Sequence, residues 1–522
     1  MELLKKNIHM DRIRLKAGTQ ITLEDDRNIP DVKPDVNTLV YEQGKIKIDE
    51  VRPADENVTV KGHLLFNVLY QTGEGEVALA SIGGEIPFEE QIFMNGVTAS
   101  DNVAVSAQIE DLTTSMINSR KINVQAVLGL DLKSDELYDE ETVVDISREE
   151  PIEYRKQPMD ITQLVIHKND IFRLKEEIQL PSNYPNIFEI IFSTVTLNDV
   201  EFKPLDDKIS IQGEMHIFIL YEGEGEEQLI RTFENNIPFS GILECAGCKE
   251  RMIQDIHYEI GHMELNAKPD FDGEERMVGV EIIMDVLVRL YEEEQIDMVT
   301  DVYGVTKEVD AQMKTAEFKQ LLARNTGKHK VTEHIRLEES DFKLLQIIHS
   351  EGNVEVDESQ IVENGIQVDG SILVKVLYVT GDDNAPYGSI RRQLPFSYLL
   401  EVPGIRPEDS YVIRPELEQL TVTMLDSEEM DVKAVVGLKT IVFRNKMQDV
   451  IEQIMIGEIN SNLLHELPGI VVYVVQPGDS LWKIGKKYYV SVDAIKQMNN
   501  LTSDEIRPGD KLLIVKYPNG DG

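Results

Sequence analysis

Two cysteines stand close together near the middle of the chain, as Cys245-Ala-Gly-Cys248, and they are the first residues that could do chemistry. Such a pair supplies half of a zinc site or a redox couple. Zinc needs four ligands, and the chain has no further cysteine. His257 and His262 follow at spacings that match no familiar finger. Other clusters offer less. GEGE at 73–76 and 223–226 is not a phosphate loop, because no Lys-Ser/Thr follows it. DFDGEE at 270–275 lacks the remaining ligands of a calcium loop. The histidines form no HExxH, and the carboxylates are too many for one pair to stand out as an acid/base couple. The expectation is a protein that is not an enzyme, with no catalytic residues, no metal and no cofactor.

A denser set of special residues lies near the C-terminus. VYVV (472–475) reads as a short strand, and Pro477-Gly478-Asp479 as a turn. Asp479 or Ser480 can cap a helix whose apolar positions are Leu481, Ile484 and Tyr488. Ser491 can cap a second helix carrying Val492, Ile495 and Met498, which Asn499-Asn500 ends. Arg507-Pro508-Gly509-Asp510 then turns into a closing strand, KLLIV. Residues 472–515 thus closely resemble a LysM module, a βααβ domain that usually binds N-acetylglucosamine-containing glycan. The resemblance implies a ligand groove between two loops. It maps to Gly478, Asp479, Ser480 and Leu481 on one side, and to Asn500, Ile506, Arg507 and Pro508 on the other. The same residues also supply turn and cap chemistry that the fold needs whatever it binds.

Two positions depart from the usual module. Tyr489 stands where many carry Gly; a left-handed backbone is costly for Tyr, so a rebuilt turn is expected. Gly485 replaces a small helix former at a cost of roughly 1 kcal/mol relative to Ala. A single module also lacks the avidity of tandem copies. A protein partner in the groove, or on the basic flank of Lys483, Lys486 and Lys487, therefore stays open beside a peptidoglycan or chitin-type glycan.

The elements that must hold this module come from a longer, very different stretch. The chain has 522 residues, 41% of them hydrophobic, and a net charge of −43. That length suits about three or four domains with real cores. Residues 471–516 are mildly basic, so the acidity belongs to the body. An acidic body repels phosphates and argues against nucleic acid. It suits solvated faces or a basic partner. Two cysteines exclude a disulfide scaffold. No apolar run marks a signal peptide or a membrane span.

The body repeats itself. VTVKGHLLFNVLYQTGEGE (58–76), ISIQGEMHIFILYEGEGEE (209–227) and IQVDGSILVKVLYVTGDDN (366–384) share one pattern. Gly62, Gly213 and Gly370 precede Tyr70, Tyr221 and Tyr378 at one spacing, and Pro87, Pro238 and Pro395 at another. Gly96, Gly247 and Gly404 follow in register, and Pro34 and Pro185 precede, with Phe342 in the third copy. In this register Cys245 and Cys248 align with Met94 and Val97, and with Val402 and Ile405. Cysteine as a small hydrophobe is therefore the better reading. Period-two alternation predicts strands throughout. The pieces between copies, among them QLVIHKND, AEFKQLLARN and MELLKKNIHMD, read as helical or irregular, and NKMQDVIEQIMIG (445–457) as a helix. The expected fold is mainly β: three repeated β-rich domains (1–150, 155–315, 316–455), a linker (456–470) and a small α+β module (471–516).

Triplicated β units ahead of one LysM module resemble the SipL family of clostridial spore formers. Its SPOCS domains are named for spore coat association. The resemblance implies a non-enzymatic coat morphogenetic protein, made in the mother-cell cytoplasm and gathered on the forespore surface. There its LysM domain would dock to the coat's basement-layer ATPase (SpoIVA-like), and its acidic β domains would recruit other coat proteins.

Overall fold

The computed structural model describes residues 2–73, 79–147, 152–225, 230–337, 343–382, 384–459 and 469–515. Residues 74–76 and 226 of the GEGE turns, Phe342 and the 460–468 stretch of the expected linker lie outside the described residues.

Each repeat is a pair of three-stranded antiparallel sheets. In the first, β1 (Leu3–Asn28), β6 (Lys121–Ile146) and β5 (Asn102–Asn118) form one sheet with β6 in the middle. The other has β3 (Asn57–Thr72) between β2 (Val36–Ala54) and β4 (Leu79–Phe93). The second repeat pairs β7 (Ile152–Gln179), β12 (Glu275–Gly304) and β11 (Ile253–Pro269) with β8 (Ile187–Leu205), β9 (Lys208–Gly223) and β10 (Ile230–Glu244). The third uses β13 (Glu308–Arg336), β18 (Glu429–Gly457) and β17 (Ser410–Met424) with β14 (Leu344–Val362), β15 (Gly365–Thr380) and β16 (Tyr387–Glu401). Residue 315, an expected domain boundary, lies inside β13. In every copy the inward side chains of the two central strands, such as Val58, Val60 and Leu64 facing Ile122, Val124 and Ala126, make the core.

The landmarks of the repeat have one physical explanation. Gly62, Gly213 and Gly370 lie directly across from Phe88, Phe239 and Phe396 on the next strand. The ring lies over the glycine: a Cβ there would fall 2.8, 2.7 and 2.8 Å from the ring carbon Cζ. An aromatic thus covers backbone that a glycine leaves bare. Tyr70 and Tyr221 are buried, and their hydroxyls donate to the carbonyls of Pro34 and Pro185 at 3.1 and 3.2 Å. Gly96, Gly247 and Gly404 adopt φ of 81°, 80° and 75°, which L residues avoid. Cys245 and Cys248 flank the second of these turns inside the core, and burial pushes the Cys248 thiol up to about 11. They pack as small apolar groups, as Met94 and Val97 do in the first repeat.

The segments expected to be helical or irregular are strands. They fall in the start of β1, the middle of β7, the middle of β13 and the second half of β18. Each is hydrogen-bonded along its length to the far half of a central strand, as Ile8 to Glu140, or Ala311 to Ile454. These long two-stranded ribbons project beyond the sandwiches and meet. Ile8, Met159 and Ala316 occupy equivalent register positions and share one core; so do Met10, Ile161 and Phe318. Val143, Val299 and Ile451 build the next layer. At the sandwich end Tyr41 and Phe192 share another, and the equivalent His349 meets Phe192 ring to ring at 6.0 Å. The repeats therefore close on one another as a quasi-threefold assembly with a stalk of three ribbons.

Candidate functional site: the terminal module and its seat

The C-terminal module forms as its sequence pattern requires. β19 (Ile470–Val474) pairs antiparallel with β20 (Lys511–Val515), and α1 (Leu481–Tyr488) and α2 (Val492–Met498) pack between them in sequence. Ser480 caps α1 by accepting from the Lys483 N–H, and Ser491 caps α2 by accepting from the Ala494 N–H, both at 3.2 Å. Asn499 clamps the fold in a way the sequence did not reveal. Its amide donates to the carbonyls of Ile495 and Leu513, and its oxygen accepts the Leu513 N–H at 2.7 Å.

The two loops expected to flank a groove are tied together through Val475. Its N–H donates to the Asp510 carbonyl, and its carbonyl accepts from Gly509, both at 2.9 Å. Asp479 is used locally: its carboxylate accepts from the Gln476 N–H and from the Tyr473 hydroxyl, each at 2.8 Å. These bonds, the Gln476 amide first, hold its pKa below the usual carboxylate range. The Gly478 carbonyl accepts from Lys483 Nζ at 2.8 Å. Gly478, Asn500, Arg507 and Pro508 are exposed, and Ile506 is half-buried beside Leu481 and Leu501. Leu481 is only 1% exposed, and its side chain packs in the module's core.

The expected basic flank is divided. Lys487 lies over the rings of Tyr473 and Tyr488 at 5.4 Å. Lys486 points the other way and pairs with Asp301 of the second ribbon at 2.6 Å. Trp482 Nε1 donates to the second oxygen of the same carboxylate at 2.7 Å. Burial pushes Asp301 up, but the bonds from Lys486 and Trp482 outweigh it, and its pKa sits below the ordinary value. Tyr303 completes the seat. Its ring meets Trp482 edge-on at 4.8 Å, and its buried hydroxyl donates to the Val490 carbonyl at 3.0 Å.

The seat explains both departures from the usual module. A Cβ on Gly485 would stand 2.5 Å from the Tyr303 hydroxyl oxygen, so only glycine lets α1 approach the ribbon. The turn after α1 is not rebuilt. Tyr489 keeps the left-handed conformation, with φ 56° and ψ 43°. Its side chain reaches Glu308 at the start of β13, a contact that offsets the strain of roughly 1 kcal/mol. Asp301 and Tyr303 were invisible as site residues in the sequence. The one available signal was the glycine inside a helical pattern.

Among the described residues no helix is long and apolar enough to cross a membrane. Nor does any group of three His, Cys, Asp or Glu there stand ready for a metal ion.

Comparison with known proteins finds two family models in the chain. A family model described as "SipL, SPOCS domain" matches residues 35–117, 186–268 and 343–425. A LysM domain model matches 473–515. Among curated proteins, the chain is 51% identical over 43 residues to the probable endopeptidase p60 of Listeria welshimeri, which is 8% of each protein. It is 50% identical over 42 residues to the probable peptidoglycan endopeptidase LytE of Bacillus subtilis, 8% of this chain and 13% of that one. The N-acetylmuramoyl-L-alanine amidase sle1 of Staphylococcus saprophyticus gives the same identity, length and shares. The chain therefore spans only 8% to 13% of the length of these relatives. No solved structure matches.

Proposed function

Because this chain belongs to the SipL family, with three SPOCS domains ahead of one LysM domain, we propose that it is a non-enzymatic scaffold of the bacterial endospore coat. In this reading the LysM module docks the protein to the coat's basement-layer ATPase at the forespore surface. The acidic repeats recruit further coat proteins. The observation that carries it is the seat. A module fixed to a rigid stalk by Asp301 and Tyr303 transmits its attachment to the whole assembly. A glycan-gripping module on a flexible tether gains nothing from such a seat.

The second reading is a glycan binder that holds peptidoglycan through the groove. It is favoured by the short matches to wall enzymes and by the exposed turn at Arg507 and Pro508. Calorimetric titration of the full chain separates the two, with purified basement-layer ATPase in one arm and chitin oligosaccharides or muropeptides in the other. The scaffold reading expects ATPase binding that weakens about tenfold in Arg507→Glu. Saturable glycan binding with no heat from the ATPase would replace it with the second reading.

A further inference from the structure

The contacts between repeats are built from equivalent strands. A cavity of about 400 Å³ lies between repeats two and three. The sandwich edge of repeat two that lines it lacks a glycine that its counterparts have. Gly44 and Gly352 let β2 and β14 lie against β5 and β17: a Cβ would fall 2.8 Å from Ile109 Cδ1 and 2.7 Å from Leu417 Cδ2. Val195 stands at the equivalent place in repeat two. There β8 and β11 come less close than their counterparts, and the cavity opens along these two edges.

The wall that repeat three presents is cationic. Arg324, Arg414 and Lys439 line it. By register the same places hold His167, His257 and Leu287 in repeat two, and Lys16, Ser106 and Asp131 in repeat one. No other repeat carries three permanent cations there. Asp255, 5% exposed, fixes Arg414 by accepting from its Nε at 2.7 Å, which leaves the outer guanidinium nitrogens facing outward. Lys439 is held by Glu416. Arg324 has no ion pair among the described residues, in a chain where acids nearly double bases. Glu201 and Lys203 complete the charges, and Lys203 is paired with Glu250 at 3.5 Å, so Arg324 is the lining cation without a carboxylate partner among the described residues. Phe202, Ile256 and Ile441 supply apolar wall. The buried Gln254 Oε1 accepts no hydrogen bond.

We infer that this cleft is a binding site for a small organic anion, with a carboxylate or phosphate head between Arg324 and Arg414 and a short apolar body toward Phe202. The size falls in the range of ligand pockets, which run from roughly 300 to 1,000 Å³. The exposed Arg324, free of any ion pair, and the half-buried Arg414 offer such a head charge-assisted hydrogen bonds from two planar guanidinium groups. The ligand would bridge two repeats, and so would stiffen the contact between them.

Calorimetry on the full chain tests this, with phenyl phosphate and benzoate as probes and benzyl alcohol as the uncharged control, all at matched ionic strength. The expected result is saturable binding of one or both anions, with the stronger identifying the head group. Arg324→Gln, which breaks no internal pair, should weaken it about tenfold. Thr326→Trp should fill the cavity and abolish it, while circular dichroism stays unchanged. Failure of both anions to bind at millimolar concentration overturns the proposal. So does undiminished affinity in Arg324→Gln, or equal binding of benzyl alcohol.

Discussion

His349 shows how much one side chain can owe to its place. It occupies the position of Tyr41 and Phe192 in the aromatic layer between the sandwiches. Its ring stacks on Phe218 at 4.3 Å, and its Nε2 has no hydrogen-bond partner. Burial, with a smaller contribution from His216, lowers its pKa to about 4. The unfolded chain takes up a proton near pH 6.5 that the folded one refuses. The unfolded state therefore binds more protons between those values, and stability falls as the pH drops through that window. The loss reaches about 3 kcal/mol at most, from roughly 1.4 kcal/mol per unit. Urea denaturation at pH 7.5 and pH 5 should show about 2 kcal/mol of this loss in the native sequence and less in His349→Phe. Equal slopes in the two proteins would assign the acid sensitivity to other groups.

At the scale of elements, the contact between α1 and the second ribbon invites its own test. Helix propensity alone says that Gly485→Ala should stabilise α1 by about 1 kcal/mol. The seat says the reverse, because the new methyl meets the Tyr303 hydroxyl and the Val490 carbonyl. Gly485→Ala should therefore shift Trp482 emission to the red as the indole leaves Asp301, and the effect should shrink in a Tyr303→Phe background. Trp482 is the only tryptophan, so its emission reports on the seat alone. An unshifted spectrum would mean that the module does not rest there. Asp301→Asn should do less harm than Tyr303→Ala, since the amide oxygen still accepts from the indole while the charge for Lys486 is lost. Limited proteolysis between residues 457 and 470 measures the difference.

At the scale of the molecule, quasi-symmetry is broken where the sandwiches give way to the stalk. Asp11, Thr162 and Lys319 hold equivalent positions. Lys319 Nζ donates to the Asp11 carboxylate at 3.2 Å, and the Tyr291 hydroxyl donates to its other oxygen at 2.9 Å. Arg289 pairs with Asp135 beside them, and the Thr162 hydroxyl accepts from the Leu321 N–H. This buried layer joins all three repeats in one order only, a device for register more than for strength. Removing Lys319 leaves the Asp11 carboxylate only the Tyr291 hydroxyl and Arg289 at 3.9 Å, so Lys319→Met should cost about 3 kcal/mol in urea denaturation. Indifference to that substitution would show that apolar packing alone orders the repeats. Because the layers Ile8–Met159–Ala316 and Tyr41–Phe192–His349 need all three copies, residues 1–305 expressed alone should expose both apolar layers. Aggregation or a molten sandwich, read by dye binding and light scattering, is the expected outcome.

The sequence alone determined the triplication, the β character of each copy and the βααβ terminal module. Those features are encoded locally: alternation marks a half-buried strand, a cap marks a helix start, and the recurring Gly and Phe are cross-strand neighbours in every copy. Tertiary structure decided the rest. MELLKKNIHMD and NKMQDVIEQIMIG have no decisive period of their own, and they become strands because a long partner strand satisfies their backbone and two other ribbons cover their apolar faces. A local pattern says which face of a segment is buried, but not what buries it. Hence Lys486, read as an exposed basic flank, and Gly485, read as a weak helix residue, acquire their meaning only from Asp301 and Tyr303, nearly two hundred residues away in the chain.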